Sequence, residues 1–189
     1  MINDVLSLLK NRLNAYFKLK AGTTDDKVLY IPGNKLEPLS FPNNQVTPII
    51  INLEEDRTTR NPDPFRGVVK DGVMTNINPE IQMNVIVLFV SRFQDYDQGL
   101  RFLSLVVKYF QFHRFFDHQN APELPPDIRR LQIELLSLPI QQQNELWNAL
   151  RTSYIPSVAY RIRALIYNDE EAMELVSETA GIETDLKKL

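Results

Sequence analysis

Two histidines, one acidic triplet and one pair of arginines are the residues of this chain whose types and spacing raise the question of chemistry. His113 and His118 are five positions apart. On one helix they would point roughly 140° away from each other, so they cannot chelate one metal together, and ordinary helix-end residues are expected. Ser-His-Asp catalysis needs a serine on a sharp strand-to-helix turn beside a histidine, and no such nucleophile elbow occurs. Glu54-Glu55-Asp56 offers paired carboxylates or a cation site, but a solvated loop ending a strand is the expected reading. The chain has no cysteine, which removes disulfides, thiolate zinc, iron–sulfur clusters and thiol catalysis together. Its six glycines are scattered, with no phosphate-cradling fingerprint. The sequence therefore predicts no enzyme, no metal site and no cofactor.

What remains is surface chemistry. Arg161 and Arg163 alternate on one face of a strand pattern. Two readings fit: an ion pair with Glu134 on a neighbouring strand, or a positive strip that meets an acidic surface on a partner. Phe110, Phe112, Phe115 and Phe116 cluster at the end of a long helical pattern. They read either as core or as an exposed aromatic patch used in assembly, since aromatics concentrate at interface centres.

These residues must be positioned by a strand, a turn and a helix between Ile81 and Phe116, which hold nine of the chain's eighteen aromatic residues. Ile81, Met83, Val85, Val87 and Phe89 make one apolar strand face, while the other turns apolar at Ile86, Leu88 and Val90. A strand of that kind lies centrally with both faces covered. Asp95 is a helix cap with Gln98 three positions on, opening a helix of about 22 residues to Phe116, roughly 33 Å long. That helix is apolar on two sides, through Leu100, Leu103, Val107 and Phe110 and through Phe102, Leu105, Val106, Tyr109 and Phe112. It must be covered twice, by a sheet and by another subunit.

The rest of the chain supplies the frame. Ile2–Leu19 reads as an amphipathic helix capped by Asn3 or Asp4, and Val28–Ile31 as a short strand in an extended loop. Pro48–Leu53 reads as a strand, 57–65 as a loop, and Val68–Thr75 as a hairpin turning at Asp71-Gly72. Strands over Ile128–Leu138 and Ser157–Tyr167 flank a helix that begins at Leu138-Pro139, with proline in its first turn. The predicted class is α+β: a single domain over residues 1–168, with a mixed, mostly antiparallel sheet and packed helices. Residues 169–189 hold seven acids and two lysines, net −5 against −3 for the whole chain, so the rest carries +2. That split predicts a body and an acidic arm. The balance argues against nucleic acid. The longest apolar run, Val85–Val90, is too short to cross a bilayer, and the amphipathic N-terminus is no signal peptide.

Several ordered pieces carry a family likeness: Met1-Ile-Asn-Asp-Val-Leu, Ile50-Ile-Asn-Leu-Glu-Glu-Asp, and Asn78-Pro-Glu-Ile-Gln-Met-Asn-Val-Ile-Val-Leu-Phe-Val with Tyr109-Phe-Gln. Leu131-Gln-Ile-Glu-Leu, Leu146-Trp-Asn-Ala-Leu and Tyr154-Ile-Pro-Ser-Val-Ala-Tyr-Arg-Ile-Arg continue the series. Over Met1 to Tyr167 the chain resembles the tube-terminator (cap) family of phage-tail-like contractile injection systems, which includes the antifeeding prophage and the Photorhabdus virulence cassettes. The resemblance implies a fold like that of phage tail terminators and a structural role. It also implies a homohexameric ring on the last ring of the inner tube protein, engaging the sheath protein, assembled in the cytoplasm and carried in the particle. The second expectation is an adaptor tying the baseplate-distal end to effectors or another partner. From pattern alone, Phe112, Phe115 and Phe116 are placed in the ring contact and Arg161 and Arg163 near a partner surface.

Overall fold

The first helix, α1 (Ile2–Ala21), forms because Val5, Leu8, Leu9, Leu13 and Phe17 recur at helical spacing and bury one stripe. It already runs at Ile2, so Asn3 and Asp4 lie in its first turn rather than capping it. Gly22 ends it at φ +66°, with its N–H on the Lys18 carbonyl at 3.1 Å, the left-handed stop that glycine takes without a Cβ clash. The computed structural model describes residues 2–36, 39–56, 67–70, 73–76 and 81–166. The expected loop at 57–65, the Asp71-Gly72 turn and the acidic arm at 169–189 lie outside these.

Among the described residues seven strands follow: β1 (Gln45–Glu55), β2 (Gly67–Lys70), β3 (Val73–Asn76), β4 (Ile81–Arg92), β5 (Phe115–Asp117), β6 (Ile128–Leu136) and β7 (Ser157–Ile166). Helices α2 (Tyr96–Phe112) and α3 (Ile140–Ala149) are interleaved with them. Five strands make one sheet in the order β1-β4-β7-β6-β5, and every adjacent pair is antiparallel. β2 and β3 pair as a hairpin, with Lys70 opposite Val73, as the sequence leads one to expect. The anticipated strand at Val28–Ile31 reduces to a single parallel bridge between Val28 and Val46.

β4 is an interior strand, buried on both faces from Val85 to Val90, as its sequence predicts. Val85, Val87 and Phe89 face α1 and α2 together with Tyr160, Ile162 and Ala164 of β7. Phe89 meets Phe110 of α2 at 5.5 Å between ring centroids and Tyr160 at 5.9 Å. On the opposite face Leu88, Val90 and Ala159 pack under Phe41 and Trp147, so α3 and the segment before β1 form the second layer. Phe41 and Trp147 meet edge-on at 6.1 Å, a favoured geometry for aromatic pairs. Three layers around one sheet are the α+β architecture the sequence indicates.

α2 is capped by Asp95, whose carboxylate accepts the Asp97 N–H at 3.0 Å. It stops at Phe112 after 17 residues, not at Phe116. The chain turns at His113 and extends, and Phe115–Asp117 becomes an edge strand pairing with Gln132, Leu131 and Arg130. The aromatic cluster is thus divided between a helix end and a strand.

Candidate assembly interface

The helix end sends its aromatic residues in different directions. Phe112 is 80% exposed and Phe115 is 41% exposed, while Phe116 is 2% exposed and sits in the subunit's own core. Phe116 opposes Leu131 across the β5–β6 pairing and takes the helix-side face of the sheet. Its placement in a ring contact is therefore corrected: on a strand, alternate residues point to opposite faces, and only Phe115 is left outward. The Arg130 guanidinium lies 4.1 Å from the Phe115 ring centroid, a cation–π contact that holds the ring at the surface.

Arg161 and Arg163 lie half-buried on the opposite sheet face from Tyr160 and Ile162. Glu134 is directly across from Arg161, yet its carboxylate reaches Arg163 diagonally, at 3.7 Å. Arg163 Nε also stands 3.5 Å from Asp56 Oδ2, an ion pair without hydrogen-bond geometry. Arg161 Nε and the side-chain oxygen of Asn84 on the adjacent strand are buried without hydrogen-bond partners. The ion-pair reading is met at Arg163, which has Glu134 and Asp56 as its within-chain acids.

The other titratable groups have structural roles. Glu54 and Glu55 belong to β1 rather than to a loop, Glu54 accepting from Asn52 at 2.6 Å. His113 stacks on Tyr109 at 4.3 Å with Nδ1 3.0 Å from the Tyr109 carbonyl oxygen. His118 lies beyond β5, off the helix altogether. Among the described residues no trio of His, Asp or Glu is arranged to hold a metal ion. Arg12 donates to both carboxylate oxygens of Glu123 at 2.7 and 3.0 Å, pinning α1 to the loop before β6 and holding the Glu123 carboxyl below its ordinary value.

Burial raises the phenols of Tyr109 and Tyr160 from 10.0 to about 12; at Tyr109 nearby Arg12 opposes the rise and Glu123 adds to it. A raised folded pKa favours the neutral form, so these two rings contribute stability that is complete below pH 10 and is lost as pH climbs toward 12. In an alkaline titration followed by phenolate absorbance, Tyr109 and Tyr160 are expected to ionise only as the protein unfolds. Their ionisation near pH 10 in the folded protein would contradict that placement.

Residues missed in the sequence complete the surface. Leu135 of β6 is 56% exposed, and on β1 Leu53 is 46% and Ile50 36% exposed. Beside Leu135 an open cavity of about 500 Å3 runs under α2, walled by Val107, Phe110, Arg114, Phe115 and Tyr160. The consecutive Leu135-Leu136 and the Ile49-Ile50-Ile51 run break strand alternation, and that was the available signal.

The described residues thus form an antiparallel sheet layered on both faces, with Phe112, Phe115, Leu135, Leu53 and Ile50 exposed. Residues 4–177 match the family model described as the Pvc16 N-terminal domain, and the chain belongs to that family. It is similar to the sheath/tube terminator of the extracellular contractile injection system PVC in its extended state, with a TM-score of 0.58 and 16% identity. That match covers 90% of this chain and 57% of the other. It is also similar to the tube-terminating cap of the anti-feeding prophage, with a TM-score of 0.59, 12% identity and coverage of 90% and 56%. The chain thus spans a little over half the length of these solved chains. No curated protein sequence is significantly similar to this chain.

Proposed function

We propose that this protein caps the baseplate-distal end of a contractile injection particle, as a homohexameric ring that seats on the last ring of the inner tube and engages the top of the sheath. The observation that carries the reading is the family match over residues 4–177, joined to a fold shared with two tube-terminating proteins. The exposed rings of Phe112 and Phe115 support a contact with a neighbouring subunit, and the half-buried Arg161 and Arg163 of β7 are placed near a partner surface. A cyclic ring uses heterologous contacts, in which two different patches of each subunit meet.

The test is the tube-length distribution, by electron microscopy, of particles assembled with and without this protein. Overlong or open-ended tubes in its absence are expected. Tubes of unchanged length with normal ends would sink the cap reading and favour an adaptor joined to another partner.

A further inference from the structure

Among the described residues, neither outer strand of the five-stranded sheet is paired along its whole outer edge. β5 pairs with β6 only at residues 130–132, and Ile133 adds one bond from its N–H to the Arg114 carbonyl at 2.8 Å. Along a strand the backbone groups alternate sides, so Leu135 presents its N–H and C=O to the same outer edge, past the start of β5. Among the described residues nothing pairs there. At the other rim the only described neighbour of β1 on its outer side is the bridge from Val28 to Val46, at the strand's beginning. Such edges template strand addition unless covered.

We infer that these rims join: the middle of β1, Ile49–Leu53, adds to the edge of β6 at Leu135 in a second copy of this chain and continues its sheet. Two independent features fit this occupant. The first is polarity. Successive strands from β1 through β4 and β7 to β6 alternate in direction, so β1 is antiparallel to β6. A rotated neighbour with its sheet in line therefore offers β1 in the antiparallel sense. The second is facing. Ile50 opposes Val87 and Leu53 opposes Val85, which places both on the helix-side face. Leu135 opposes Tyr160 and shares that face. Ile50 and Leu53 of the neighbour would enter the cavity under α2 beside Leu135 and remove three exposed aliphatic side chains from water. Two different patches meeting by rotation form a contact that can close into a ring.

The inference deepens the ring reading and rests on it. Because the chain has no cysteine, disulfide trapping is free of background. Particles are assembled with the full-length protein carrying Leu53→Cys and Leu135→Cys together, oxidised and run without reductant, with each single variant as a control. Both positions are exposed, so the substitutions should leave the core intact. A ladder of covalent multimers from the double variant, dimers only when the single variants are mixed, and no multimers from either alone is the expected result. Capped particles without a ladder would overturn the edge pairing and leave the cap reading standing. Dimers of Leu135→Cys alone would show a twofold contact instead. Particles whose tubes are terminated normally without the protein would remove the cap reading itself.

Discussion

Phe102→Ala is expected to cost about 3–5 kcal/mol of folding stability and to lower the melting temperature by on the order of 10 °C. Phe102 is 2% exposed and is the ring that ties two helices to the end of β4. It stacks on Phe93 at 4.8 Å, with planes 6° apart, and meets Phe17 of α1 at 5.1 Å. Removing it takes a large apolar side chain from a closed environment and leaves a cavity that two flanking rings cannot collapse into without leaving their own contacts. Phe102→Leu keeps most of the volume and is expected to cost less than half as much. Urea unfolding of the three proteins checks the order. A loss below about 1 kcal/mol for the alanine variant would mean that the helix layer is not held by this stack.

Asn14→Ala is expected to have an effect of similar size through a different cause. Asn14 sits in the buried stripe of α1, 4% exposed, where an aliphatic residue would satisfy the pattern. Its side chain donates to the Val28 carbonyl at 3.0 Å and accepts the N–H groups of Lys27 and Val28 at 3.0 and 2.8 Å. Alanine leaves all three backbone groups without this partner, the two of Val28 buried and that of Lys27 part-buried, at about 1–3 kcal/mol for each group that stays buried. The segment also anchors β1: the Leu29 N–H goes to the Val46 carbonyl at 3.1 Å, and the Val46 N–H to the Lys27 carbonyl at 2.7 Å. The first readout is a global loss of about 3–5 kcal/mol in urea. The second is faster hydrogen exchange at the Leu29 and Val46 amides than the global loss explains. Unchanged exchange at both would show that the segment holds its place without Asn14.

Elements fixed by local patterning were legible in the sequence. β4 declares its two buried faces in Ile86, Leu88 and Val90 against Val85, Val87 and Phe89, and Asp95 declares the start of α2. The end of α2 was not legible. Phe112-His113-Arg114-Phe115-Phe116 contains no glycine or proline, and its apolar spacing continues the helix. The helix yields because Phe116 gains a fully buried place by pairing beside Leu131, and local propensity is weaker than such tertiary burial. β1 began three residues earlier than expected because Pro48 is tolerated on an edge strand, where a missing N–H need not break a ladder. The likeness to injection-system caps was legible as an ordered series of motifs. The rim formed by Leu135, Ile50 and Leu53 was not, because exposure at a sheet edge depends on strand order, which no short motif encodes.

The position of β7 has a consequence for synthesis. It is the last strand of the sheet in sequence, yet it lies between β4 and β6 and pairs with both along nearly its whole length. While the chain emerges from the ribosome, β4 and β6 exist before the strand that joins them, and each has a bare side rich in aliphatic residues. The sheet closes by insertion rather than by zipping outward from a hairpin. Nonlocal closure of this kind is slow and exposes the nascent chain to misassociation. A ribosome stalled before Ser157 would therefore display two halves of a sheet that no local contact can unite.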